Sequence, residues 1–205
     1  MTPLRYRGSF KLEIVRKSVH VLVGILITLL FGARILDLPV FFLLIMLFAA
    51  VMLYNAKAER ELLTKILSIN RADASIPGID ILFYLLGCFI VLWIFPENIA
   101  SAAIMILAFG DAVAHLISRS FGATQTALTK TTYLEGTILG GAAGAIAAWL
   151  YVPLLPAIIA SSAAMIVEAG ELRIANHHID DNIIIPIVAA VTLWILHIIF
   201  PTILI

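Results

Sequence analysis

Long apolar runs, separated by short polar stretches rich in proline and glycine, dominate the pattern along this chain. A helix that crosses a bilayer needs about 17–25 mostly apolar residues. Seven segments approach that length: Val19–Leu36, Leu38–Tyr54, Ile79–Phe95, Asn98–Ile117, Gly136–Val152, Leu154–Ala169 and Ile183–Ile205. The second and sixth are short, so six spans is the alternative count. Helix breakers fall between the runs, at Asp37-Leu38-Pro39, Pro77-Gly78, Phe95-Pro96-Glu97-Asn98 and Pro153 to Pro156. The pattern predicts an all-α, polytopic integral membrane protein. It forms one membrane-embedded domain over residues 1–205, with an amphipathic N-terminal segment 1–18. No repeat, low-complexity tract, cleavable leader or separate soluble module is evident.

Composition agrees with the pattern. The 205 residues are 62% hydrophobic and 13% charged, with a mean hydropathy of +1.10. A soluble domain is roughly half apolar and a quarter charged. The zero formal net charge gives no reason to expect a nucleic-acid partner. The single cysteine, Cys88, excludes an intrachain disulfide and reads as a small core hydrophobe.

The charges that exist are distributed unevenly. Arg5, Arg7, Lys11, Arg16 and Lys17 precede the first run. Lys57, Arg60, Lys65 and Arg71 lie between the second and third, Arg119 and Lys130 between the fourth and fifth, and Arg173 between the sixth and seventh. The positive-inside rule therefore places the N-terminus in the cytosol, with Arg34 the one basic residue outside. Eleven of the thirteen acids fall on or near the same inner side. The longer polar connections gather there too, which points to that face as the working one.

Four groups on that face carry chemistry. Glu13, Arg16, Lys17 and His20 share one helical face and suit a phosphate chain, or a juxtamembrane anchor for anionic headgroups. Gly110-Asp111 lies inside the fourth run, where an Asp costs about 2.5–3.5 kcal/mol on insertion scales. His115 and Arg119 continue its stripe toward the cytosol. Glu135-Gly136-Thr137, after Lys130, opens the fifth run, where Glu135 is equally readable as a helix N-terminal carboxylate. Gly136, Gly140 and Gly144 form a packing face for contacts within or between chains, so a homodimer is open. Finally, Glu168, Glu171, Asp180, Asp181 and Asn182 offer oxygen ligands for a hard cation such as Mg²⁺, or a solvated acidic loop. His177-His178 more simply reads as loop polarity than as a metal site. No glycine-rich phosphate loop precedes Lys130.

Taken in order, Glu13-x-x-Arg16-Lys17-x-x-His20, Pro77-Gly78 with Tyr84 and Gly87, Gly110-Asp111 with Gly122, Glu135-Gly136-Thr137 with Gly140, Glu168-Ala169, and Asp180-Asp181-Asn182 with Pro186 resemble a known family. It comprises the CTP-dependent polyprenol, dolichol and phytol kinases and the yeast-type CTP-dependent diacylglycerol kinases. The pattern covers nearly the whole chain. It departs at two places. Thr132 stands where the family has a Lys three residues before Glu-Gly, leaving Lys130 five before Glu135, and Ser118 stands where a Gly often precedes the Arg.

The resemblance implies transfer of the γ-phosphate of CTP to the hydroxyl of a membrane lipid, with Mg²⁺. Arg16, Lys17, His20, Arg119 and Lys130 would then hold the nucleotide, Asp111, Glu168 and Asp181 the metal, and Asp111 and Glu135 the reacting groups. Glu13, Gly110, Gly136, Asp180 and Asn182 would support them. The related CDP-lipid synthases share the Gly-Asp and Glu-Gly elements, but end in motifs that differ from Asp180-Asp181-Asn182 and Pro186. A transporter or flippase using Asp111 as an ion site is the reading from another class. The compact chain suggests a prokaryotic cytoplasmic membrane with the site facing the cytosol.

Overall fold

A computed structural model describes residues 3–58, 78–122, 124, 133–170, 173–174, 177–178 and 180–201. The helices are α1 Pro3–Gly32, α2 Leu38–Ala58, α3 Ile79–Ile94, α4 Glu97–Met105, α5 Ala112–Phe121, α6 Leu134–Ala148, α7 Leu154–Ala169 and α8 Asp181–Ile199. Between α4 and α5 the backbone makes a π-helical turn over Ile106–Asp111, so α4, this turn and α5 form one rod, Glu97–Phe121. The predicted runs therefore become seven helical rods among the described residues. Four of them are long and apolar enough to cross a membrane, and α3, α6 and α7 are shorter apolar helices.

Local chemistry sets most ends. Pro3 opens α1, and Pro39 lies in the first turn of α2, positions that need no amide donor. Asp37 caps α2 by accepting from the Val40 amide at 3.0 Å. Gly78 enters α3 with φ of 89°, a backbone state that glycine adopts without steric cost. Asp180 caps α8.

α1 runs without a break from Pro3 to Gly32, and its membrane-length stretch starts at Glu13. The described residues are helical apart from connecting turns and a short two-stranded antiparallel ribbon, Arg173–Ile174 with His177–His178, in which Arg173 lies opposite His178.

The rod Glu97–Phe121 is the axis of the bundle. Of its membrane-length window 78% is buried, against 22–28% for α1, α2 and α8. Small and β-branched residues allow this: Ala100, Ala102, Ala103, Ile104 and Ile106 are fully enclosed. The outward faces are apolar instead, with Leu22, Leu43, Leu47 and Ile138 each at least 60% exposed. Water would not tolerate so much contiguous apolar surface, whereas lipid solvates it. The bundle is that of a multi-pass membrane protein. Trp93, Trp149 and Trp194 are all exposed and lie toward the C-terminal ends of α3, α6 and α8. They form an aromatic fringe at the end away from Asp80, Leu134 and Asp181.

Candidate active site

The first turns of the bundle-crossing part of α1 present two polar side chains to the interior, while Val15 and Val19 face outward. Lys17 is 4% exposed and His20 5%, since both face inward toward the central rod. Lys17 Nζ donates to Asp111 Oδ2 at 2.6 Å, across 94 residues of sequence. Both side chains are almost fully enclosed. Removing either partner of such a pair strands a buried charge, at about 3–5 kcal/mol.

The π turn helps to place Asp111. An i→i+5 turn shifts the register of the side chains that follow relative to an α-helix, and such turns recur at functional sites. Met165 and the backbone of Gly140 pack against Gly110, where an added Cβ would meet Met165 Cε at 3.2 Å and Gly140 O at 3.4 Å.

His20 is held from behind by α3. Tyr84 Oη donates to the His20 carbonyl at 2.8 Å, and the two rings lie 4.8 Å apart. Neither ring nitrogen of His20 has a hydrogen-bond partner among the described residues, and the residue lines the cavity described next. A buried polar atom left this way calls for a ligand or water.

The cavity has a volume of about 50 Å³. It is lined by Arg16, Lys17, His20, Asp80, Asp111 and His115, together with Asp180, Asp181 and Asn182 from the start of α8. Asn182 is fixed by Asp180, whose Oδ1 accepts from its amide at 3.0 Å and from its side chain at 2.7 Å. Gly87 lets α8 come this close to α3, because a Cβ there would lie 2.1 Å from the Asn182 carbonyl. The volume holds a few waters, a cation or the reacting end of a ligand, not a whole nucleotide.

Beside the cavity, Asp111, His115 and Glu168 each bring one ligand atom within 4.8 Å of the others. Two carboxylates and an imidazole fit a divalent cation that completes its shell with water or phosphate oxygens.

The sequence-predicted residues do not all converge. The structure gathers Arg16, Lys17, His20, Asp111, Asp180, Asp181 and Asn182 around one cavity. Glu168 joins Asp111 in the cation-binding group, whereas Asp181 lines the cavity outside that group. Glu13 and Arg119 form a neighbouring ion-pair chain: Glu13 pairs with Arg119 and, at 3.5 Å, with Arg16. Glu135 stands apart from the cavity lining, and its carboxylate accepts from the Thr124 amide at 3.1 Å. Gly136 packs against Ser118 and Ala114. Lys130 and Glu171 lie outside the described residues.

Two participants were missed. Asp80 sits in the first turn of α3, 6% exposed, and the signal was an acid two residues after Gly78 at the start of an apolar run. His115 was visible on the Asp111 stripe but had no assigned role.

The chain is similar to CTP-dependent diacylglycerol kinase 1 of Schizosaccharomyces pombe. The two are 25% identical over 207 residues, covering 92% of this chain and 95% of that protein. No protein-family model matches the chain, and no solved structure does. The similarity is distant but nearly end to end, and it supports the resemblance to CTP-dependent lipid kinases.

Proposed function

We propose that this protein is a CTP-dependent lipid kinase that moves the γ-phosphate of CTP to the hydroxyl of a membrane lipid. The observation that carries the reading is the buried Lys17–Asp111 pair. It joins the Arg16-Lys17 and Gly110-Asp111 elements in one polar cavity beside Asp180-Asp181-Asn182. Diacylglycerol is the leading acceptor, because that is the lipid in the relative's name. Polyprenol, dolichol and geranylgeraniol are the alternatives to assay beside it.

In this reading the lipid oxygen forms a bond to the γ-phosphorus. The bond from that phosphorus to the β–γ bridging oxygen breaks, CDP leaves, and the hydroxyl proton is released to water. Such a transfer depends mainly on positioning and charge neutralisation. Arg16 and Lys17 bind the phosphate oxygens at the open side of the cavity, with the nucleoside outside it. Lys130 is a further proposed phosphate contact and Arg119 a more distant one, through its chain to Arg16. Asp111, His115 and Glu168 would hold a divalent cation, Mg²⁺ or a related ion, with Asp181 a further carboxylate in the same cavity. Such a cation would supply charge neutralisation for the phosphates. His20, with two ring nitrogens unengaged among the described residues, orients the acceptor hydroxyl or a phosphate oxygen. Asp80 adds another carboxylate to the lining. Glu135 acts through the Thr124 loop, so it is a positioning residue rather than one that touches substrate.

We place the cavity on the cytosolic side, where CTP is available and the basic residues cluster, with seven spans. The test is purified protein in detergent given CTP labelled at the α- or the γ-phosphate, with each lipid alcohol and, in a parallel arm, phosphatidic acid as acceptor. Label from γ in the lipid supports the reading. Label from α instead would make the protein a CDP-lipid synthase, and no label from either would remove it from both classes.

A further inference from the structure

The polar cavity accounts for the reacting end of a lipid acceptor and leaves its hydrocarbon unplaced. On the lipid-facing side of the bundle, α6 and α7 part around a second, larger groove of about 440 Å³. Ile138 and Ile158 form its exposed rim, and Gly141, Ala145 and Met165 its buried floor. Along α6 the lining runs from Thr137 to Ala145, about 12 Å of helix. The lining is mostly apolar, with Thr137 and Ser162 its hydroxyl residues. Thr137 Oγ1 donates to the Tyr133 carbonyl at 3.4 Å, and beneath the groove the buried Ser161 Oγ ties α7 to α6 by donating to the Gly141 carbonyl at 2.8 Å.

The glycines of α6 show that the groove is not a by-product of tight packing. A Cβ at Gly136 would lie 2.0 Å from Ser118 Oγ, at Gly140 2.7 Å from Ala114 Cβ, and at Gly144 2.5 Å from Ser161 Oγ. Those three glycines are needed for helices to approach. At Gly141 the nearest atom is Met165 Cγ at 3.9 Å, an ordinary contact. Packing would accept a side chain at Gly141, and without one the floor of the groove stays open.

The groove also adjoins the candidate active site. Met165 lines it and at the same time packs its Sδ and Cε against Gly110, the residue before Asp111. Glu168, a cation ligand in the reading above, follows Met165 by one helical turn on α7.

We infer that this groove seats one hydrocarbon chain of the lipid acceptor and directs the hydroxyl end past Met165 toward Asp111, His115 and Glu168. The inference rests on the lipid-kinase reading for the identity of the acceptor. Its occupant enters laterally from the bilayer, because the rim faces hydrocarbon.

The probe is a diacylglycerol with a photoactivatable diazirine in one acyl chain, added to the purified protein without CTP. Label is expected in peptides from 134–148 and 154–169, and excess unlabelled diacylglycerol should remove it. Gly141→Leu, which fills the floor, should reduce that label about tenfold or more and leave CTP binding unchanged. Gly141→Ala, which keeps ordinary contacts, should give a smaller reduction and carries the test if the Leu variant does not purify. Label on other helices, label that unlabelled diacylglycerol does not displace (a bulk-lipid chain), or label unchanged in both variants would overturn the inference. Wild-type protein that labels here yet transfers no phosphate from CTP would keep the groove and overturn the kinase reading.

Discussion

Two of the ion pairs among the described residues, Lys17–Asp111 and Arg34–Glu97, lie at opposite ends of the bundle and differ in nearly every respect that matters. Lys17–Asp111 is 2.6 Å long with both side chains about 95% buried. Arg34–Glu97 is 3.1 Å long, with Arg34 83% exposed. The outer pair links the ends of α1 and α4 in solvent, where such contacts contribute about 0–1 kcal/mol. The inner pair sits among further carboxylates, imidazoles and an Arg. A fold that needed only a clasp between α1 and the central rod would gain nothing from gathering those groups. The difference separates a surface tie from a polar site enclosed in a membrane bundle.

The largest break in the comparison should come from the cation ligands. Glu168→Ala is expected to lower phosphate transfer about 10²–10³-fold, the scale seen when one transition-state charge contact is lost. His115→Ala should weaken cation binding roughly tenfold or more. Titration of Mn²⁺ into the purified protein, followed by electron paramagnetic resonance, reads that loss independently of turnover. Equal Mn²⁺ affinity in wild type and both variants would move the cation elsewhere.

A smaller effect is expected from Gly87→Ala. Its Cβ would collide with the Asn182 carbonyl, so α8 must shift and carry Asp180 to Asn182 away from the cavity. Overpacking of this kind costs about 1–3 kcal/mol. It should lower the thermal midpoint and raise the KM for CTP together. An unchanged midpoint would mean that α8 is not seated on α3 in this way. The smallest effect belongs to Glu135→Gln, which keeps an acceptor for the Thr124 amide. Activity should fall only a few-fold, and a loss as large as that of Glu168→Ala would make Glu135 a reacting group after all.

Helix positions were readable from sequence because a membrane bundle writes them as apolar runs, and Pro39, Pro96 and Pro153 mark the starts cleanly. Which rod is central was not readable. The Ala-rich stretch Ile99–Leu107 is no more apolar than its neighbours, and only packing makes it the axis. The π turn leaves no signature, since six ordinary residues adopt it. Glu13, Arg16, Lys17 and His20 were legible as one face, but the partner of that face lay 94 residues away in Asp111. Sequence spacing carries no information over that distance. For the same reason the sequence did not show that His115, one turn from Asp111, shares a ligand cluster with Asp111 and Glu168, while Asp181 lines the neighbouring cavity. Asp80 was overlooked because a single acid at the start of an apolar helix is also an ordinary N-terminal charge.

The contrast between the two pairs leads to one direct measurement. Transfer of label from γ-labelled CTP to diacylglycerol can be compared for Lys17→Ala, Asp111→Asn, Arg34→Ala and Glu97→Ala, each purified and shown to be folded. The account predicts that Lys17→Ala and Asp111→Asn fall to background, while Arg34→Ala and Glu97→Ala stay within about twofold of wild type, as weak surface pairs should. Wild-type transfer retained in folded Asp111→Asn would contradict it.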